Sequence, residues 1–307
     1  MSISLQYKSV FRHPRDPHKC CPQQFTARVQ CAATTRQSRK PDQQVVAVDE
    51  LQLLTSTPPL VIPTMTQKKP MLDDPDLQST WTHRAWVASG SISILISLLK
   101  SANSVAIDPN LSLEPVFAGL TGYLLADLGS GVYHWAIDNY GDATTPLVGA
   151  QIEAFQGHHR FPWTITRREF ANNLHALARV ITFTVLPIGL VSNEPVFNAF
   201  VGMFGGCIMF SQQFHAWAHG TKSKLPSVVL ALQDSGVLVS RAEHGAHHHA
   251  PYNNNYCIVS GAWNKILDEN NVFEALEMIL YFRLGVRPRS WSEPNSDWSE
   301  EALPLGQ

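Results

Sequence analysis

The chain has 307 residues, 16% of them charged, and a formal net charge of −2 at pH 7. This near-neutral balance, with no stripe of Lys and Arg interleaved with aromatic residues, gives no electrostatic basis for nucleic-acid binding. The five cysteines form neither a Cys-x-x-Cys pair nor a paired framework, so neither a zinc ribbon nor a disulfide scaffold is indicated.

The amino-terminal 45 residues are rich in Arg, Lys, Ser, Thr and Gln, and Asp16 is their only acidic residue before Asp42. Because they lack the apolar core of a secretory signal, residues 1–45 are predicted to be an organellar transit peptide. The run Val-Gln-Cys-Ala-Ala at residues 29–33 resembles a chloroplast processing site, so a chloroplast transit peptide cleaved near Cys31 is expected. An ordinary disordered tail is the alternative. Residues 46–80 contain five prolines and are predicted to be a linker.

Four apolar segments follow and are predicted to be transmembrane helices: residues 86–99, 116–136, 176–191 and 196–214. Each is near or below the roughly 20 residues that span a bilayer. Two further segments are predicted to be helices at the membrane surface: residues 226–239, as an interfacial or re-entrant helix, and residues 272–282, as a short amphipathic helix. The expected fold is therefore an all-α integral membrane domain over residues 81–285, followed by a flexible tail over 286–307. A soluble helical bundle is the alternative, which the modest mean hydropathy of −0.08 favours.

Four spans would place residues 80–85, 137–175 and 215–307 on one side of the membrane. That side carries most of the Arg and Lys residues that flank the spans. The positive-inside rule assigns it to the cytoplasm or, after import into a chloroplast, to the stroma.

Histidine is the compositional outlier, since all 13 except His13, His18 and His83 lie between residues 134 and 249. In the run His244-x-x-His247-His248, positions i, i+3 and i+4 share a helix face, which predicts three rings in one small volume. Neutral imidazole binds iron, zinc and copper. Under the four-span topology, all the candidate ligands face the same side: His134, Asp138, His158, His159, His175, His215, His219, His244, His247 and His248.

Ten candidate ligands exceed the four of a structural zinc site or the three of a catalytic one, and suit two metal ions in a shared site. Dominant imidazole ligation with open positions best fits two irons that react with O₂. A carboxylate di-iron bundle would instead contain paired Glu-x-x-His motifs, which are absent from the histidine boxes. For His175 the alternative is a histidine packed at the membrane edge, and Asp138 either binds metal or orients a ligand.

Residues 156–175, 214–220 and 243–268 resemble the Kua-type lipid desaturases, and the resemblance extends over about residues 80–285. It implies three histidine boxes: Gln156, Gly157, His158, His159 and Arg160; His215, Ala216, Trp217, Ala218 and His219; His244, Gly245, Ala246, His247 and His248. With the plastid-like amino terminus it indicates the plant branch, the chloroplast fatty acid desaturase 4 group. That branch introduces a trans-3 double bond into palmitate on phosphatidylglycerol. A main enzyme and a paralogue both remain open.

The resemblance implies two Fe ions and O₂ as cofactors and a membrane lipid, phosphatidylglycerol, as substrate. No haem- or flavin-binding segment is evident in the sequence, so we expect an external electron donor, which in a plastid would be ferredoxin. Arg160, Arg167 and Arg168 are candidate contacts for the lipid phosphate, with a positive-inside anchor as the alternative. Two other functions remain open: a related di-iron hydroxylase or oxygenase, and a non-enzymatic membrane metal-binding protein or transporter.

Overall fold

The computed structural model describes residues 75–108 and 113–296, which form nine α-helices and no β-strand. The predicted transit peptide, most of the predicted linker and residues 297–307 of the predicted tail lie outside these ranges. The four long helices are α1 (Trp81–Ile107), α2 (Leu113–Asn139), α4 (Phe170–Val191) and α5 (Pro195–His219). The shorter ones are α3 (Gly149–Arg160), α6 (Ser227–Asp234), α7 (Arg241–His247), α8 (Asn264–Glu269) and α9 (Val272–Leu284).

Three helical segments in the described part of the chain are long and apolar enough to cross a membrane: Pro75–Ile107, Phe170–Val191 and Pro195–His219. They correspond to the first, third and fourth predicted spans. The second corresponds to α2, which has 27 residues but does not reach the same hydropathy. Its glycines and its buried polar residues, among them Asp127 and Ser130, account for the difference. The all-α membrane fold is thus confirmed, with three span candidates instead of four.

The core between α1, α4 and α5 is made of small and branched apolar side chains, including Ile94, Ile181 and Val201. The outer faces of these helices are also apolar: Leu99 is 64% exposed and Phe183 67% exposed. Water does not favour such surfaces, whereas lipid chains do, so the exposed apolar faces agree with a membrane environment.

Helix α2 packs closely along α5, and Gly122 lies at their contact. A Cβ atom at Gly122 would lie 2.7 Å from the Phe200 carbonyl oxygen and 3.1 Å from the Phe204 nitrogen, both of which are backbone atoms that cannot rotate away.

We expect Gly122→Ala to lower the free energy of unfolding by about 1–3 kcal/mol through overpacking, measured by thermal unfolding in detergent. Gly119→Ala on the same helix is the control, because a Cβ there meets no atom of the described residues within 4 Å. Equal stability of the two variants would contradict the close contact.

A buried carboxyl group on α2 holds the segment that follows the third histidine box. Asp127 Oδ1 accepts hydrogen bonds from the backbone N–H groups of Val259, Ser260 and Gly261 at 3.1, 2.8 and 3.1 Å. Its Oδ2 accepts a fourth from the Trp263 N–H at 3.4 Å. Asp127 is 0% exposed. These bonds fix the return of the chain from α7 against the middle of α2.

The two shorter predicted segments are helical: α6 occupies most of the first and α9 covers the second. Glu277 on α9 is buried and accepts hydrogen bonds from the indole N–H groups of Trp135 and Trp291 at 3.0 and 2.8 Å. Trp291 belongs to the predicted flexible tail, and the structure packs it, at 5% exposure, against the domain.

At the amino-terminal end of the described residues, Asn172 donates to the carbonyls of Asp76 and Gln78, so the last predicted linker residues lie against α4.

Candidate metal centre

Nine of the ten predicted ligands meet at one end of the helix bundle, in two groups. They are supplied by the ends of α2 and α5, by the last turn of α3, and by helix α7 together with the residue after it. Within each group the ligand atoms lie within 4.8 Å of one another. The first group is His158, His215, His219, His244 and His248, and the second group is His134, Asp138, His159 and His247.

The second group surrounds Asp138. The Oδ2 atom of Asp138 lies 3.2, 3.0 and 3.3 Å from the Nε2 atoms of His134, His159 and His247. The other ring nitrogens of two histidines are held: Nδ1 of His134 is 2.9 Å from the Tyr256 carbonyl and Nδ1 of His247 is 2.6 Å from the Asn254 carbonyl. A carbonyl oxygen accepts but cannot donate, so each Nδ1 carries the hydrogen and each Nε2 presents a lone pair towards Asp138.

The first group is made of imidazoles alone. The Nε2 atom of His219 lies 2.8 Å from the Nε2 atoms of both His158 and His244, and Nε2 of His248 lies 3.2 Å from that of His244. Burial lowers the pKa of His158 and of His244 well below the ordinary histidine value, so both rings are neutral. Ring nitrogens at these distances share either a hydrogen or a metal ion, and five imidazoles that converge on one small volume are a donor set that a metal ion takes.

The unpaired ring nitrogens agree with this interpretation. Both nitrogens of His215 and the Nδ1 atoms of His158 and His244 are buried without a hydrogen-bond partner among the described residues. Buried polar atoms in proteins nearly always have a partner, and each exception needs an explanation. Metal coordination by His215 and its neighbours supplies one, so the residues present fit a bound metal in both groups.

The two groups are adjacent. The ring centroids of His159 and His248, one from each group, are 4.9 Å apart. Neighbours in sequence belong to different groups, His158 and His159 in one pair and His247 and His248 in the other. Successive side chains on a helix point about 100° apart, which explains the separation at His158 and His159. The centre is therefore one site with two compartments.

The third histidine box is divided between the two groups. Its three rings lie in one small volume, as the sequence predicts, with the ring centroids of His244, His247 and His248 4.9 to 5.5 Å apart. The structure nevertheless places His244 and His248 in the first group and His247 in the second. Helix α7 ends at His247, and the i and i+4 residues lie closer in angle than i and i+3. His247 is thereby directed to Asp138.

The structure does not bring His175 to either group. Its ring stacks on that of His83 with the centroids 3.9 Å apart, and its Nδ1 lies 2.7 Å from the carbonyl of Asn172 in the first turn of α4. The interpretation of His175 as a histidine packed at the membrane edge agrees with this position. His175 also stands alone in the sequence, whereas every ligand that the structure groups belongs to a pair or a box.

Gln156 and Arg160, two residues of the first histidine box that are not histidines, make contacts outside the two ligand groups. Gln156 donates to the Ile137 carbonyl at 3.1 Å and so connects α3 to α2. Arg160 lies over the ring of Phe161, 5.6 Å from its centroid. Arg167 and Arg168, the other two candidate phosphate contacts, line a cavity beside His219.

Sequence reasoning missed Tyr256. Its side chain is 0% exposed, its ring centroid lies 5.7 Å from that of His134 and 5.1 Å from that of His247, and its hydroxyl accepts a hydrogen bond from Asn139 at 2.9 Å. Burial raises the pKa of Tyr256 well above its usual value, which keeps the hydroxyl protonated. In the sequence, the one indication of Tyr256 is its position in the segment after the third histidine box. No spacing typical of metal ligands includes it.

Fold and site together define a class: a membrane-embedded helical bundle with two adjacent, histidine-rich groups of candidate metal ligands at one end. The sequence model of the lipid desaturase domain matches residues 123–291, and the chain belongs to this family. It is accordingly an oxidoreductase, and the resemblance inferred from the histidine boxes is confirmed.

The chain is 72% identical to "Fatty acid desaturase 4, chloroplastic" of Arabidopsis thaliana over 222 residues, which cover 72% of this chain and 68% of that protein. It is 54% identical to "Fatty acid desaturase 4-like 1, chloroplastic" of the same plant over 98% of this chain and 97% of that protein. It is 32% identical to "Plasmanylethanolamine desaturase 1" of Mus musculus over 56% of this chain and 66% of that protein. No solved structure matches the chain.

Proposed function

We propose that the protein is a chloroplast membrane desaturase that forms a trans-3 double bond in palmitate esterified to phosphatidylglycerol. The observation that supports this most is the pair of adjacent ligand groups at one end of the bundle. The similarity to a chloroplastic fatty acid desaturase 4 supports the choice of compartment and of a fatty acyl substrate.

Two iron ions are the metals that this donor set suits, one held by each group. When bound, they supply the oxidising power that no amino-acid side chain has. Desaturation removes two hydrogen atoms from adjacent carbons and reduces O₂ to two waters. The balance requires two further electrons and two protons, and we propose ferredoxin as the electron donor.

The protein's own residues position and protect this centre. The carbonyls of Tyr256 and Asn254 hold the tautomers of His134 and His247 so that Nε2 remains available to the metal. Asp138 supplies the single negative charge of the two groups and lies between three of the imidazoles. The buried rings limit access of water to the reacting carbons.

The position of the centre relative to the membrane fits an acyl carbon near the headgroup. The ligands of α5 lie in its last two turns, at the end of a candidate span, and not at the middle of the bilayer. Carbon 3 of an esterified acyl chain lies close to the interface. By the positive-inside rule we propose that this end of the bundle faces the stroma, where a soluble electron donor has access to it.

Two other functions share part of this evidence. A hydroxylase would use the same centre, and the outcome depends on how the acyl carbons are placed. A metal transporter should carry its ligands near the bilayer midplane, in contrast to the end-on position of both groups.

Lipid analysis tests the proposal. We expect the full-length protein, expressed with ferredoxin in a host that makes phosphatidylglycerol, to produce trans-3 hexadecenoate in that lipid and to contain about two irons per chain. The measurements are mass spectrometry of separated lipid classes and elemental analysis of the purified protein. A hydroxylated acyl chain without any alkene, or stoichiometric zinc without iron, would contradict desaturation.

A further inference from the structure

A cavity of about 590 Å³ opens beside the first metal group. Its wall is formed by the α3–α4 connection, the end of α5, the connection from α5 to α6 and the start of α7. Within the described part of the chain, no Asp or Glu lines the cavity, whereas four cationic side chains do: Arg167, Arg168, Lys224 and Arg241. The metal ligand His219 belongs to the same wall, so the positive charge lies next to the metal centre.

The cations of this cavity are not all held in the same way. Arg241 Nη1 donates to the carbonyls of Gly220 and His219 at 2.7 and 3.4 Å, which fixes the start of α7 against the end of α5. Arg168 donates to Asn172 Oδ1 at 3.1 Å. The side chains of Arg167 and Lys224, by contrast, form no ion pair within residues 75–108 and 113–296. These two are exposed and available to an external anion.

The remainder of the wall is largely apolar and includes Trp163, Ile165, Trp217 and Leu225. A cavity with cations and apolar side chains together suits an amphipathic ligand, a charged group attached to a hydrocarbon chain. The cavity lies where α5 ends and α4 begins, the level at which lipid phosphates meet a bilayer-spanning bundle. Its concave shape and its volume, within the usual range for small-molecule sites, favour a lipid headgroup over the surface of an acidic protein.

We propose that this cavity binds the phosphate of an anionic glycerophospholipid through Arg167 and Lys224 and thereby selects the substrate's headgroup. The inference rests on the proposed function, because it assigns the cavity to the lipid whose acyl chain reaches the metal centre. A phospholipid whose headgroup contains no cation should bind best. The choline group of phosphatidylcholine would bring its own positive charge towards Arg167 and Lys224, which repel it.

Lipid retention by the purified full-length protein tests this assignment without turnover. The protein in neutral detergent is incubated with equal amounts of phosphatidylglycerol, phosphatidylcholine and monogalactosyldiacylglycerol, and retained lipids are quantified after gel filtration. We expect wild type to retain phosphatidylglycerol preferentially, and the double variant Arg167→Gln/Lys224→Gln to retain about tenfold less of it. The matched control is Lys222→Gln, which removes the same charge two residues from Lys224 and outside the cavity lining. We expect it to behave as wild type.

Several outcomes would overturn the assignment. One is an unchanged lipid preference in the double variant with normal metal content, and another is an equal loss in Lys222→Gln. Displacement of the lipid by an equal concentration of inorganic phosphate would show a free-anion site. Unchanged lipid retention with slower reduction by ferredoxin would assign the charges to an acidic protein.

The proposed function and this inference fail separately. Charge-dependent retention of phosphatidylglycerol without any alkene product would contradict the desaturase proposal alone. Desaturation by a double variant that keeps the wild-type headgroup preference would contradict the cavity assignment alone.

Discussion

Asp138→Asn is expected to lower the bound metal from about two ions to about one per chain and to reduce desaturation by more than about 100-fold. Asp138 is the one carboxylate of the two groups, and its Oδ2 lies within 3.3 Å of three imidazole Nε2 atoms. The amide keeps the shape of the side chain but removes the negative charge that offsets the metal's charge. Metal content by elemental analysis and lipid products by mass spectrometry measure the two effects.

His175→Ala is the matched control for this prediction. It removes an imidazole that sequence reasoning placed among the ligands and that the structure places against His83. We expect both metal ions and the activity to remain. Loss of a metal ion in His175→Ala together with full occupancy in Asp138→Asn would contradict the arrangement of the two groups.

Asp127→Ala is expected to lower the free energy of unfolding by about 3–5 kcal/mol, because it leaves several buried N–H groups without an acceptor. Asp127 accepts from the N–H groups of Val259, Ser260, Gly261 and Trp263 and is 0% exposed. The same segment contains Tyr256, whose carbonyl accepts from His134. We therefore expect metal content to fall as well. Thermal or urea unfolding in detergent measures the change in stability.

Asp127→Asn separates hydrogen bonding from charge. Its amide oxygen can replace Oδ1 as the acceptor for Val259, Ser260 and Gly261, whereas its NH₂ group cannot accept from Trp263. The expected loss is smaller, about 1–2 kcal/mol. An Asp127→Ala variant with the stability and metal content of wild type would show that this segment is held by other contacts.

Local sequence patterns were sufficient to locate the histidine boxes and to predict the four long helices, α6 and α9, but not helix α3, which carries His158 and His159. Hydropathy over about 20 residues and ligand spacing over a helical turn are local properties, so a sequence carries them directly. For the same reason, the boxes His215-x-x-x-His219 and His158-His159 are recognisable from the order of residues alone. The resemblance to a lipid desaturase family rested on these boxes as well, and the match over residues 123–291 confirms it.

The sequence prediction and the structure differ where contacts between distant segments of the chain outweigh a local sequence pattern. Polar residues lower the hydropathy of α2, but Asp127 and Ser130 are buried against the protein. Trp291 lies in a segment with the composition of a tail, yet Glu277 accepts its indole hydrogen. In both cases the partner lies in another element, which no window along the chain includes.

The sequence by itself determined the class of chemistry: many imidazoles in boxes beside apolar helices imply a metal centre at one membrane face. Only the tertiary structure decided how the ligands divide into two groups and that His175 belongs to neither. The same holds for Asp127, whose hydrogen bond to Val259 joins residues 132 positions apart. The physical reason is that metal ligation and buried hydrogen bonding depend on distances of about 3 Å between atoms, and folding sets these distances between residues far apart in the chain.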